Sequence, residues 1–152
     1  MKGWTEGKAG ESWRAQENKV MQRILVADDD PMVTRFLTSF LEGEGFEVMT
    51  APDGEKALEA IREHQPDLVI LDLVMPFRDG FEVCRMMKSQ SALRHVPVIV
   101  ISMKEHENDA LRAFELGADD YIRKPFNILE LLARARKLMS RRGSAAASGS
   151  SF

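Results

Sequence analysis

Four places in this chain of 152 residues carry side chains suited to chemistry: Asp28-Asp29-Asp30, Asp72, Ser102 and Lys124. The aspartates and the serine each stand at the end of a short apolar run, and Lys124 follows Tyr121-Ile122 closely. If Asp28, Asp29 and Asp72 converge, ionised carboxylates ~4 Å apart repel by about 4 kcal/mol at an effective dielectric of 20. Either some of them stay protonated or a cation lies among them. Hard oxygen donors with few enforced contacts suit Mg2+, which keeps several of its waters. Lys124 adds a second, fixed positive charge. An aspartate beside a divalent cation and an ammonium group is held ionised and can act as a nucleophile, so Asp72 is the candidate. A phosphoryl group arriving there would share its oxygens among the cation, Lys124, the Ser102 hydroxyl and backbone amides. Positioning and charge neutralisation are what phosphoryl transfer needs. Asp30 has a plainer role open to it, as a helix cap.

The elements that must position these groups follow from the apolar pattern. Residues 24–27, 46–51, 68–71, 98–101 and 121–122 read as strands, most of them continuous apolar runs. Asp30-Pro31 signals a helix start, followed by Val33, Phe36, Leu37, Phe40 and Leu41 on one face and stopped by Gly43 and Gly45. Asp53-Gly54 opens a second helix with Ala57, Leu58 and Ile61 inward. After Asp79-Gly80, a third turns Val83, Cys84 and Met87 inward. A fourth runs through Ala110, Ala113 and Phe114 to Gly117. Asn127 caps a last one striped by Ile128, Leu131, Leu132, Ala135, Leu138 and Met139. Apolar strands each followed by an amphipathic helix imply an α/β fold with a doubly wound five-stranded parallel sheet covered on both faces. About 120 residues are too few for an eight-fold barrel, which takes ~200 or more. In such sheets ligands bind beyond the carboxyl ends of the strands, where all four chemical groups fall.

Composition narrows the class. Hydrophobic residues are 44%, charged residues 30% and the formal charge is −3, which argues against a basic nucleic-acid binder. The single cysteine, Cys84, excludes an intrachain disulfide and suits a reducing cytoplasm. No apolar run approaches the ~20 residues of a membrane helix. Residues 1–22, which hold Trp4 and Trp13, read as a flexible leader. Residues 143–152 read as a low-complexity tail, leaving 23–142 as the one domain. His64, His95 and His106 lack ligand spacing.

The set of motifs resembles the receiver domain of two-component response regulators, chemotaxis regulators included. It comprises Ile24-Leu25-Val26-Ala27-Asp28-Asp29-Asp30-Pro31, Leu71-Asp72-Leu73-Val74-Met75-Pro76, Asp79-Gly80, Ile101-Ser102, Gly117-Ala118-Asp119-Asp120-Tyr121 and Lys124-Pro125-Phe126, in that family's order and spacing. The resemblance implies a flavodoxin-like receiver fold with strand order 2-1-3-4-5. It implies that Asp72 is the phosphoacceptor, served by a sensor histidine kinase or phosphotransfer protein, and that the chain is not an enzyme. Asp28, Asp29, Asp72 and the Val74 carbonyl are then the ligands of Mg2+, with Mn2+ as the substitute. Ser102, Lys124 and Tyr121 become the switch and phosphate-binding residues, and Lys124-Pro125 a cis peptide. Phosphorylation would reshape the surface of the fourth helix, fifth strand and fifth helix and so control a downstream target protein, with no nucleic acid or membrane contact expected. The alternatives within the family are a phosphorelay intermediate and the receiver portion of a longer regulator. The ends are too short for an output domain of their own.

Departures from the family pattern carry expectations too. Ser102 replaces the commoner threonine, and Met103 stands where a small residue is usual. Val74 and Lys104 occupy positions that tune dephosphorylation. The apolar Val74 cannot orient an attacking water, so a slow to intermediate phosphoryl lifetime is expected. Asp120, Glu130, Arg134 and Arg141 match part of the charge set through which DNA-binding members dimerise. Ala110 and Leu116 interrupt it, so the chain is expected as a monomer or a phosphorylation-dependent dimer. A haloacid-dehalogenase-type phosphatase would also begin with Asp-x-Asp after its first strand. It needs an acidic motif after its lysine, where this chain has Pro-Phe-Asn-Ile-Leu. A flavin binder would need a Gly-rich phosphate loop where Asp28 to Asp30 would repel the phosphate.

Overall fold

A computed structural model describes residues 21–103 and 108–149, with backbone alone over 142–149. Five strands alternate with five helices: β1 (Arg23–Ala27), α1 (Pro31–Gly43), β2 (Glu47–Ala51), α2 (Gly54–His64), β3 (Leu68–Asp72), α3 (Gly80–Lys88), β4 (Val98–Ser102), α4 (Asp109–Glu115), β5 (Asp120–Arg123) and α5 (Ile128–Gly149). All pairings are parallel and the sheet order is β2-β1-β3-β4-β5. This is the doubly wound order expected from the sequence. Every strand therefore delivers its carboxyl end to the same edge.

The alternation of side chains along each strand divides the core in two. Leu25, Ala27, Val69, Leu71, Val98 and Val100 face α2, α3 and α4, meeting Ala57, Leu58, Ile61, Val83, Cys84, Met87 and Ala113. Ile24, Val26, Leu68, Ile70, Ile99 and Ile101 face α1 and α5, meeting Leu37, Leu41, Leu131, Leu132 and Ala135. β3 and β4 are buried along their whole length. Each fully buried Leu, Ile or Val there contributes roughly 1.5–3 kcal/mol. The core thus fixes the sheet edge on which the functional groups stand. Among the described residues no helix is long and apolar enough to cross a membrane.

Carboxylate and amide caps start four helices. Asp30 accepts from the Met32 N–H at 2.9 Å, Asp53 from Lys56 at 2.8 Å, Asp79 from Glu82 at 2.9 Å and Asn127 from Leu129 at 2.8 Å.

Some boundaries and faces differ from the sequence reading, each for a physical reason. Phe46 precedes β2: its N–H closes the end of α1 on the Leu41 carbonyl at 3.1 Å, while its ring enters the core. Asp72 and Ser102 lie inside β3 and β4 because the ladder carries on to the pairs Asp72–Ile101 and Ser102–Arg123. Phe36 and Phe114 stay largely exposed, since the buried stripes of α1 and α4 centre on Leu37, Leu41 and Ala113. α5 continues through Gly149, into the segment that composition marks as tail.

Candidate functional site

The site grows out of the ladder. Beyond β1 the Asp28 N–H donates to the Ala51 carbonyl of β2 at 3.1 Å, which holds Asp28 in the sheet and leaves it 2% exposed. The Asp28 carboxylate accepts from the Asp30 N–H at 2.9 Å, turning the chain into α1 and leaving Asp29 exposed between them. β3 brings Asp72 to the same edge, 6% exposed. One carboxylate oxygen from each of Asp28, Asp29 and Asp72 lies within 4.8 Å of the others. β4 contributes Ser102, fully buried. The Lys124 N–H donates to the Ser102 carbonyl at 2.9 Å, fixing where the chain leaves β5, and the Lys124–Pro125 peptide is cis. From there the Lys124 ammonium donates to Asp28 Oδ2 at 2.9 Å and stands 3.5 Å from Asp72 Oδ1.

The charges are unbalanced: three carboxylates face one ammonium group. Burial, with the Asp28 carboxylate adding to it, raises the Asp72 carboxyl from its ordinary 3.8 to about 6. Lys124 pulls the other way and is overcome. Burial also weighs against charged Lys124, but the hydrogen bond to Asp28 and the attraction of Asp72 outweigh it, so its affinity for the proton rises. Such a site is short of positive charge, and its donors are all hard oxygens. The three carboxylates could hold a small divalent cation.

The other expected residues stand as follows. Tyr121 pairs with Val100 across the ladder and is half-buried against the α2–α4 core. Val74, two residues past Asp72, is 57% exposed, and Met103, next after Ser102, is 67% exposed. Both apolar side chains are thus open to solvent. Lys104 and His106 lie outside the described residues. Two features escape sequence reasoning. Gly80 is needed for close approach: a Cβ there would collide with the Asp72 carbonyl oxygen and come within 2.8 Å of Leu73 Cα. The Gly80 N–H donates to the Leu73 carbonyl at 2.9 Å, so the start of α3 rests directly on the end of β3. Phe77 adopts a left-handed backbone (φ 70°) in the connection between them and is 80% exposed. The Asp79-Gly80 pair was the available signal for the first; nothing in the sequence marks the second.

A family model of the response regulator receiver domain matches residues 24–136. The chain belongs to that family. Among curated proteins, this receiver is 46% identical over 120 residues to the DNA-binding response regulator MtrA of Mycolicibacterium smegmatis, a match covering 79% of this chain and 51% of MtrA. It is 39% identical to the alkaline phosphatase synthesis transcriptional regulatory protein PhoP of Bacillus subtilis, over 79% of this chain and 49% of PhoP. The receiver therefore spans about half the length of the curated relatives it matches. Among solved structures, the receiver domain of the Francisella response regulator 1452 superposes with a TM-score of 0.74 at 32% identity, covering 79% of this chain and 98% of that one. The BeF3-activated N-terminal receiver domain of Klebsiella pneumoniae RstA gives 0.71 at 31% identity, over 78% and 98%.

Proposed function

We propose that this receiver accepts a phosphoryl group on Asp72 from the phosphohistidine of a sensor histidine kinase or phosphotransfer protein. The observation that carries the reading is a buried Asp72 carboxylate facing Lys124 at 3.5 Å within a three-carboxylate cluster. An Asp72 oxygen attacks phosphorus, a new O–P bond forms as the donor's P–N bond breaks, and the leaving imidazole nitrogen takes the electron pair and a proton. The Lys124 ammonium, already held by Asp28, would take a phosphoryl oxygen. The Ser102 hydroxyl, at the end of the neighbouring strand, would take another. Mg2+, or Mn2+ in its place, would be held by Asp28, Asp29, Asp72 and the Val74 carbonyl, and would neutralise charge on the transferred group. The chain is then the acceptor of the reaction, not an enzyme acting on a separate substrate.

The added charge acts as a switch because its contacts with Ser102 and Lys124 form mainly in one of two conformations. Ser102 and the half-buried Tyr121 reposition, and the surface of α4, β5 and α5 changes for a downstream target. On that surface Arg134 is already engaged within the chain, 2.9 Å from Asp120 and 2.8 Å from Glu130. That engagement favours a monomer, with a phosphorylation-dependent dimer as the alternative. Val74 and Met103, exposed just past the ends of β3 and β4, are apolar and offer an attacking water no polar partner. This supports a slow to intermediate phosphoryl lifetime. Lys104 joins them as a tuning position on sequence grounds alone. The protein would work in the cytoplasm, where its kinase domain partners act.

A second reading has a specific observation behind it: the chain is the receiver portion of a longer regulator, as its curated relatives are about twice the matched length. DNA binding of the kind for which MtrA is named would then belong to a further domain, and the receiver itself would make no direct nucleic-acid contact.

Incubation with acetyl phosphate and Mg2+ followed by intact-mass measurement tests the proposal. One added phosphoryl group is expected, lost in Asp72→Asn and in chelator. An equal gain in Asp72→Asn, or none in the unmodified chain, overturns it. An acyl-phosphate half-life of seconds would refute the lifetime.

A further inference from the structure

The two sides of the sheet are finished differently. β5 closes one side with only four residues, charged at both ends and followed closely by Pro125, which blunts it against further pairing. β2 closes the other with Glu47-Val48-Met49-Thr50-Ala51, which holds no lysine, no proline and, in its unbroken register with β1, no bulge. Its outer side is open among the described residues. The Glu47 N–H donates to the Gln22 carbonyl and the Ala51 carbonyl accepts from Asp28, so residues 47, 49 and 51 spend their backbone groups on β1. By the alternation of a parallel ladder, Val48 and Thr50 direct theirs outward. Such an edge is a template for another strand. Beside it α1 presents Arg35, Ser39 and Glu42, all exposed, at i, i+4 and i+7 on one helix face. These residues share a cleft of about 550 Å3 with Val48 and Thr50. Neither Arg35 nor Glu42 has an ion-pair partner among the described residues.

We propose that this edge joins two copies of the chain about a two-fold axis beside Met49. A strand that pairs with its own copy across such an axis runs antiparallel to it. Val48 then lies opposite Thr50 of the second copy, each pair exchanging its outward N–H and C=O groups, and Met49 lies opposite Met49. α1 meets its copy antiparallel as well. Arg35 and Glu42 are two turns apart, ~10 Å along the helix, and opposite in charge. Each Arg35 therefore faces Glu42 of the second copy, while the small Ser39 between them lets the helices approach. Both elements line one cleft, β2 centred on Met49 and α1 close to Ser39, so a single axis serves both. The face is thus complementary to itself in backbone and in charge, as a two-fold contact requires. An unrelated strand would satisfy the backbone of β2 and leave the charge pattern of α1 without a purpose. Exposed ion pairs add little affinity, so the strand bonds hold the copies together and the charges select partner and direction. This contact lies on the opposite side of the sheet from β5. It needs no phosphate and is independent of phosphate acceptance on Asp72.

Sedimentation equilibrium of the whole unphosphorylated chain in chelator, from low to high micromolar concentration, tests the proposal. A reversible monomer–dimer equilibrium is expected. Arg35→Glu and Glu42→Arg each set like charges against one another at both ends of the contact, and each is expected to weaken the dimer about tenfold or more. The double exchange, Arg35→Glu with Glu42→Arg, restores opposite charges and is expected to restore the dimer. Thr50→Pro removes an outward N–H at an edge position where proline is tolerated, and is expected to weaken the dimer while circular dichroism shows a folded chain. If that variant unfolds, the charge exchange decides alone. A chain that stays monomeric throughout overturns the proposal. So does a dimer that ignores the single reversals, ignores Thr50→Pro in a folded chain, or fails to return in the double exchange, because the copies then meet elsewhere or in another orientation. A dimer that forms only after phosphorylation also overturns it.

Discussion

Asp72 is the residue at which acidity and burial meet, and the proposed phosphoacceptor. Its carboxyl is displaced from 3.8 to about 6, chiefly by burial and by the Asp28 carboxylate. A raised value means the folded protein holds this proton more tightly than the unfolded chain does. Below pH 4 both states are protonated and nothing is lost. As pH climbs to 6 the folded state must accept a disfavoured charge, and above that the loss is complete. A displacement of this size corresponds to about 3 kcal/mol. Metal-free Asp72→Asn is therefore expected to be more stable than the unmodified chain at pH 7.5, with the gap vanishing toward pH 4. Urea melts of both chains in chelator across that range measure it, and a gap independent of pH would contradict the assignment. At this scale much was legible in the sequence. Asp28, Asp29, Asp72 and Lys124 are acids and a base at the ends of apolar runs, and parallel topology leaves such residues one edge to occupy. What stayed hidden depends on proximity across the fold, such as the contact between Gly80 and the Asp72 carbonyl.

That contact belongs to the scale of elements, because it is where α3 is seated on β3. Gly80→Ala inserts a methyl into the Asp72 carbonyl oxygen. Overpacking of this kind costs typically 1–3 kcal/mol. The variant is expected to lose that much in urea melts and to accept phosphate more slowly from acetyl phosphate, since β3 must shift to make room. Asp53→Ala removes a cap that is not part of the carboxylate cluster, and should cost about 1 kcal/mol with phosphorylation unaltered. The pair separates damage to the site from damage to the fold. Strand and helix identities could be read because buried parallel strands are continuous apolar runs while helices show one apolar stripe. The exact stripe was harder. Phe36 fits the period of α1 as well as Leu37 does, yet only the packing of α1 over β1 and β2 decides which of them is inside. Helix length was hardest at α5, where Ala and Ser residues that compose a linker are also compatible with helix.

For the whole molecule, the unbalanced charge at the sheet edge couples cation binding to stability. A cation that binds only the folded chain stabilises it by about 2.7 kcal/mol at a hundred times its dissociation constant. Mg2+ is accordingly expected to raise the melting temperature of the unmodified chain and to leave Asp29→Ala nearly unmoved. Asp29 suits this test because it is exposed and its loss removes no core contact. A Mg2+ response of equal size in Asp29→Ala would show the ion acting elsewhere.

The ion pair between Lys124 and Asp28 joins residues 96 positions apart. β5 sits at the far side of the sheet and is the last of its five strands to be synthesised, so until it docks against β4 the buried Asp28 lacks the Lys124 ammonium group. Long-range closures of this kind come late in folding, after the entropy of the intervening chain has been overcome. The capacity to take up phosphate should thus disappear at the same denaturant concentration as tertiary structure, with no partly folded species retaining it. On the proposed reading, a ribosome-bound chain not yet extended past Lys124 would take up no phosphate, and uptake would begin only with molecules whose sheet is finished.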